Sequence, residues 1–266
     1  MIRQIIRLLS FLIINILFLA LAVVVALIFL PFGTRTHRKV TTFFVPIYGK
    51  IFLFIFGIKV KLLNSHYINK KQGHFIIGNH LSYLDVILLG SQIPVLFVAK
   101  KEVRSWPLLG TLAWLGGMLF IDRSITGSTH RPYVHQIANA MKDGFNISIF
   151  PEGTSSNGET VLPFKKTIFS SPVLAQKPIL PIAIRYVSVN HEPFSSENRD
   201  LVCWYGDMSF VDHFWRFLGL KEFTVKIVLM EPHIESPEDD WINQNRRLAA
   251  KYHEIVKNGY FDAEPT

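Results

Sequence analysis

Between Leu8 and Gly33 the chain carries no charged residue, and Leu12–Phe32 is almost wholly apolar. About 20 such residues suffice to cross a bilayer as a helix, which satisfies its own backbone polar groups. This run limits the possible folds more than any other stretch. Arg3 and Arg7 precede it, as they would in a secretory signal. The apolar part exceeds the roughly 7–15 residues of a signal core, and no small-residue cleavage pattern follows, so it reads as an uncleaved membrane helix. Arg35, Arg38 and Lys39 flank its far end, so charge does not set its orientation. A second apolar stretch, Phe43–Val60, is interrupted by Pro46 and Lys50. It suits the returning arm of a hairpin, an interfacial segment, or a helix of the core.

The remaining composition points the same way. Lys and Arg total 28 against 20 Asp and Glu, a formal net charge of +8. That balance favours an anionic partner, either nucleic acid or an anionic membrane surface, and the apolar N-terminus decides for the membrane. Cys203 is the only cysteine, so no intrachain disulfide forms and a reducing compartment is allowed.

After about residue 70, short apolar runs alternate with amphipathic ones, which predicts an α/β fold. Strands are expected at Phe75–Gly78, Val95–Ala99, Met118–Ile121, Ile147–Phe150, Ile179–Val187, Leu201–Tyr205 and Phe223–Met230. Helices are expected at Leu84–Gly90, Trp106–Leu115, Pro132–Asp143 and Asp239–Asn258. Gly144 would end the third helix, and Ser236-Pro237 would open the fourth.

His80 and Asp85 stand five apart just after the first of these strands, with only uncharged residues between them. A carboxylate that accepts the Nδ1–H of an imidazole fixes its tautomer and leaves Nε2 free to take a proton. Five helical residues rotate about 500°, so the two side chains cannot share a face of one helix. The pair works only if His80 precedes the helix and Asp85 lies in its first turn. Ser82 as N-cap, with Asp85 at N3, allows that geometry. The same spacing is a capping box, so Asp85 reads equally as a structural cap.

Three further blocks bear on that choice. Gly117–Arg123 places an arginine just after an apolar strand, and Phe150-Pro151-Glu152-Gly153-Thr154 ends another in a turn with one carboxylate. Lys177-Pro178-Ile179-Leu180-Pro181-Ile182 opens a third. Strand C-termini are where α/β folds gather ligand-binding groups, and a glycine turn lets backbone N–H groups approach an anion. The run Gly153–Gly158 is G-x-S-x-x-G, one residue too long for a hydrolase nucleophile elbow. No H-E-x-x-H or paired-cysteine pattern occurs, so no metal site is expected.

Taken in order, the four blocks resemble the glycerophospholipid acyltransferase family, of which the lysophosphatidic acid acyltransferases are the best-known members. Its N-H-x4-D motif is matched by Asn79, His80 and Asp85, and its glycine–arginine block by Gly117, Phe120, Ile121, Asp122 and Arg123. Its F-P-E-G-T block is matched by Phe150 to Thr154, and its proline block by Pro178 to Ile182. The motifs cover roughly residues 75–185. Ser155 stands where many members have an arginine that contacts the acceptor's phosphate. A hydroxyl offers no bidentate phosphate contact, which leaves Arg123, Lys165 or Lys166 for an anionic group. The segments Pro151–Gly158 and Trp204–Met208, with Trp215-Arg216, are similar to the branch that acylates lyso-ornithine lipid.

The resemblance implies a mixed sheet flanked by helices, preceded by an N-terminal membrane helix or helical hairpin. Residues 1–60 would be the anchoring segment and 61–266 the acyltransferase domain. It implies transfer of a fatty acyl group from an acyl thioester to a lysolipid hydroxyl, with 1-acyl-sn-glycerol-3-phosphate or lyso-ornithine lipid as acceptor. His80 would be the general base and Asp85 its orienting carboxylate. Asn79, Arg123, Glu152, Gly153, Thr154 and Lys165 would bind substrate. Coenzyme A or acyl-carrier protein would carry the donor, with no metal or redox cofactor and no nucleic acid. The enzyme would sit on the cytoplasmic face of an inner or plasma membrane. The competing readings are a non-catalytic lipid-binding membrane protein and a lipid hydrolase using water.

Overall fold

The structure, a computed structural model, describes residues 1–69, 72–122 and 132–262. The chain opens with two long helices, α1 (Ile2–Phe29) and α2 (Thr34–Phe56). Both are long and apolar enough to cross a membrane. A turn through Leu30–Phe32 and Gly33 joins them as an antiparallel hairpin. The pairing is set by Phe11 against Phe52 at 6.3 Å and by Tyr48 Oη donating to Asn15 Oδ1 at 3.2 Å. This hydrogen bond favours one register of the two helices, because it supplies a donor to the buried Asn15 Oδ1.

Then follow β1 (Ile58–Leu63), β2 (Phe75–Gly78), α3 (Leu84–Gly90), β3 (Leu96–Lys100), α4 (Leu109–Leu115) and β4 (Leu119–Ile121). After these come α5 (Pro132–Lys142), β5 (Ile147–Ile149), α6 (Ser170–Ala175), β6 (Ile179–Val189) and β7 (Glu192–Pro193). The chain closes with α7 (Phe210–Leu218), β8 (Phe223–Leu229) and α8 (Trp241–Asp262). The strands form one mixed sheet in the order β1-β8-β6-β2-β5-β3-β4, with β7 on β6. The five strands from β6 to β4 are parallel, β8 runs antiparallel to β6, and β1 is parallel to β8. The mixed sheet flanked by helices is the expected architecture. Residues Phe75–Ile77 are wholly buried, as a central strand covered on both faces requires.

Several elements depart from expectation. Leu201–Tyr205 is not a strand. The N–H groups of Val202 and Cys203 both turn back to Arg199 O, and Trp204 N–H donates to Leu81 O at 2.9 Å. The helix expected from Trp106 starts at Leu109, after a 3-10 turn at Lys101–Ser105. Pro46 does not break α2, which continues to Phe56 and ends at Gly57 in the left-handed region.

Both ends of the hairpin are fastened to the rest of the protein. Arg3, Gln4 and Arg7 donate to main-chain carbonyls at the end of α7 and just beyond it. At the other end, Arg35 pairs with Asp143, just past α5, at 3.2 Å. The hairpin therefore lies along the α/β body rather than standing off it.

Candidate active site

β2 and β5 are neighbours and parallel, so the loops leaving their C-terminal ends meet. The first loop carries His80 and leads into α3, whose first turn holds Asp85, and the second carries Phe150 to Ser156. His80 Nδ1 lies 2.8 Å from Asp85 Oδ2. The same Oδ2 accepts the backbone N–H groups of Leu81 at 2.7 Å and Ser82 at 3.0 Å. One oxygen of Asp85 thus both holds the turn before α3 and contacts the imidazole, the geometry that each of the two readings requires. The helix begins one residue later than a Ser82 cap would place it, with Ser82 Oγ accepting from Leu84 N–H at 3.4 Å. Asp85 is fully buried, and its Oδ1 accepts from the Tyr186 hydroxyl at 2.8 Å. Burial, and then the charge of Asp85, push the Tyr186 phenol well above its ordinary range, which keeps it a donor.

The second loop grips the main chain of His80 from both sides. Glu152 Oε1 accepts His80 N–H at 2.9 Å, and Ser156 N–H donates to His80 O at 2.9 Å. Phe150 lies flat on the imidazole, with ring centroids 4.2 Å apart and planes 2° from parallel. An aromatic face favours a positive charge above it, so this stacking suits an imidazolium as well as an imidazole. Gly153 supplies the turn with φ +78°, a left-handed conformation that side chains disfavour.

The sequence-predicted residues divide. His80, Gly153 and Thr154 wall one cavity of about 610 Å³, which runs from His80 into an apolar space between α1, α2 and the body. Phe11, Phe18 and Val25 of α1 and Phe52 of α2 form its far wall. Asn79, expected on substrate, is buried and turned away. Its Nδ2 donates to Ile184 O at 2.9 Å and its Oδ1 accepts Ile184 N–H at 2.8 Å. Its amide extends the β2–β6 ladder one step past Gly78, and neither group is left for a ligand. Glu152 likewise holds the His80 main chain and does not wall the cavity. Lys165 is exposed, and its backbone N–H anchors the turn through Pro151 O at 2.9 Å. Arg123 lies outside the described residues. Ser155 donates its hydroxyl to Trp204 O, tying the second loop to the segment after Cys203.

Tyr186 and the stacked Phe150 are the residues to which motif spacing assigns no role. Tyr186 carries a signal: a phenol in a largely apolar strand needs a hydrogen-bond partner where it is buried. The α1 wall carries none, because an apolar run holds no information about which of its faces meets a cavity.

Burial raises the Glu152 carboxyl to about 8, partly offset by the amides of His80 and Leu162. Between its ordinary value of 4.5 and about 8, the folded protein therefore binds a proton that the unfolded chain releases. Stability attributable to this group is present below that window and declines as pH rises through it. The melting temperature of the wild type is expected to fall from pH 5 to pH 8. Glu152→Gln keeps an acceptor for His80 N–H and should flatten the slope. Equal slopes in the two proteins would show that Glu152 is ionised throughout.

Residues 59–185 match the family model described as Acyltransferase. The lyso-ornithine lipid O-acyltransferase of Brucella abortus is 30% identical over 243 residues, covering 84% of this chain and 87% of that protein. The enzyme of the same name from Pseudomonas aeruginosa is 37% identical over 59% of this chain and 57% of its own. The 1-acyl-sn-glycerol-3-phosphate acyltransferase of Neisseria gonorrhoeae is 30% identical over 58% of each chain. Among solved structures, the 1-acyl-sn-glycerophosphate (LPA) acyltransferase PlsC of Thermotoga maritima superposes with a TM-score of 0.57. That match covers 94% of this chain and 98% of that one at 20% identity, and it shows a common fold. With His80, paired to Asp85, on the wall of a largely apolar cavity and one relative matched along most of its length, the chain belongs to the acyltransferase family.

Proposed function

We propose that this protein moves a fatty acyl group from an acyl thioester to the free hydroxyl of a lysolipid. The observation that carries the reading is the His80–Asp85 pair at the polar end of a cavity whose far wall is apolar. A general base beside a long apolar space suits a reaction whose two substrates both carry acyl chains. With Nδ1–H held by Asp85, His80 Nε2 takes the proton of the acceptor hydroxyl as that oxygen attacks the thioester carbonyl. Asp85 stabilises the imidazolium that forms. The tetrahedral intermediate then collapses and expels the thiolate, which the imidazolium reprotonates. Gly153 N–H is already committed to Phe150 O at 3.1 Å, so the next amides of the turn, Thr154 and Ser155, are the donors we assign to the oxyanion.

The acceptor reading is 1-acyl-sn-glycerol-3-phosphate, with Lys100 on the cavity wall as a cation for the phosphate. One observation favours lyso-ornithine lipid instead: Ser155 holds the Trp204 loop through its hydroxyl and brings no cation to the site. The donor is a thioester of coenzyme A or acyl-carrier protein. Both carriers are acidic and suit a chain of net charge +8. Such donors are intracellular, which puts the catalytic body on the cytoplasmic face of the membrane.

The test is acyl transfer by purified protein from labelled thioester to each lysolipid, supplied separately. Product that depends on one acceptor identifies it. Labelled free fatty acid formed equally with and without acceptor would replace transfer by hydrolysis. No turnover with either acceptor would replace it by lipid binding.

A further inference from the structure

The start of α1 is held on the catalytic body by polar side chains, and their targets are the open ends of other helices. Arg3 Nη1 donates to Gly219 O at 3.3 Å, and Gln4 Nε2 to Trp215 O at 3.1 Å. Arg7 makes the most bonds. Its Nε donates to Ile55 O at 3.1 Å, and its Nη1 to Leu218 O at 3.3 Å and to Leu220 O. Ile55 is in the last turn of α2, and Leu218 is the last residue of α7. The final carbonyls of a helix have no partner within it and carry the negative end of its dipole. One guanidinium, with five donors in a planar fork, satisfies carbonyls from two such ends at once. It also lies over the Phe56 ring at 5.8 Å.

One turn further along α1, Phe11 packs on Phe214 at 4.8 Å and on Phe52 at 6.3 Å. Phe11 and Phe18 then form the wall of the cavity that ends at His80. Apolar helix packing alone is tolerant of sliding and rotation, whereas hydrogen bonds to fixed carbonyls are not. We propose that Arg7 is a positioning residue for the reaction: it fixes the depth and rotation of α1 on the body, and so the shape of the wall that the acyl chain meets. The inference rests on the acyl-transfer reading of the cavity.

The experiment uses the full-length enzyme in mixed micelles with a series of acyl thioesters of increasing chain length. Arg7→Ala is expected to raise KM for the preferred donor by about tenfold, as misplacement of a binding wall does, and to flatten the chain-length profile. The kcat at saturation should stay within about twofold, since the His80–Asp85 pair is untouched. Arg7→Lys keeps the charge but not the fork, and should fall between Ala and wild type. Ile13→Ala, on the exposed side of the same helix, should behave as wild type. A purely structural role for Arg7 would lower yield and melting temperature without moving KM or the profile, and that result overturns the proposal. Should Arg7→Ala fail to accumulate, a wild-type profile in Arg7→Lys overturns it equally. Absence of acyl transfer by the wild type would instead remove the reading of the site on which the proposal rests.

Discussion

Asp85→Asn is expected to lower kcat by about 10³–10⁴-fold, close to the loss expected for His80→Ala. The reason lies in the count of donors around the carboxylate. Oδ2 accepts from His80 Nδ1–H, Leu81 N–H and Ser82 N–H, and Oδ1 accepts from the Tyr186 hydroxyl. All four partners donate. Asparagine offers one accepting oxygen and one donating NH₂. With the NH₂ at the Oδ2 position it would confront three donors, and His80 would turn Nδ1 into an acceptor, leaving the proton on Nε2. An imidazole in that tautomer cannot take the acceptor's proton. With the amide oxygen there, the tautomer survives, but the charge that stabilises the imidazolium is gone. Either arrangement removes transition-state stabilisation, so kcat should fall far more than KM changes.

The two variants should separate in stability. Asp85→Asn also weakens charge-assisted bonds to two backbone amides, each worth about 1.5–3 kcal/mol. His80→Ala leaves Asp85 on those amides and loses mainly the stacking on Phe150. The check is initial rate at saturating substrates alongside thermal unfolding of the same preparations. If Asp85→Asn kept more than a tenth of wild-type kcat, Asp85 would be a helix cap and no more.

Much of this pair is legible in the residues alone. The five-residue spacing demands that His80 precede α3 and that Asp85 lie in its first turn, and β2 and α3 have the bounds that hydrophobic patterning predicts. The motif order also identifies the loops that meet at the strand ends. Other features are not legible, for identifiable reasons. Leu201–Tyr205 reads as a strand because its hydrophobicity reports burial, and Val202 and Cys203 are indeed fully buried. Hydrophobicity does not say where the backbone bonds go, and here they go to Arg199 and Leu81. Asn79 reads as a ligand because it sits in a motif. Its partner, the Ile184 peptide, comes from a strand more than a hundred residues away, a contact that local pattern cannot specify. The N-terminal run reads as buried in lipid, and much of α1 does expose apolar side chains. Which of its residues instead face the body depends on Arg3, Gln4 and Arg7 finding carbonyls at helix ends that the sequence does not mark.

Gly49→Ala is expected to destabilise the protein, against the usual sign for that substitution. In an exposed helix interior, replacing Gly by Ala gains about 1 kcal/mol, from the lower backbone entropy of the unfolded chain and better propensity. Gly49 is in α2, where a Cβ would lie 2.6 Å from Ser91 Cα and 2.8 Å from Ser91 N. These are main-chain atoms at the end of α3, so no side-chain rotation relieves the clash, and one helix must move. Gly90 makes the same crossing from the other side, where a Cβ would meet Val45 Cγ1 at 3.1 Å. Overpacking of this kind costs about 1–3 kcal/mol, and more when backbone must shift. It therefore outweighs the propensity gain. For a chain of this size, each kcal/mol of net loss corresponds to about 2–4 °C in melting temperature. The displacement also has a functional direction. α3 carries Asp85 at its opposite end, and α2 carries the Phe52 wall of the cavity. Gly49→Ala should thus melt earlier and lose acyl transfer more steeply than stability. That result would distinguish a strained α2–α3 crossing from a loosened core. A melting temperature at or above wild type would mean that α2 does not approach α3 this closely, and that the hairpin is not part of the machinery that holds Asp85.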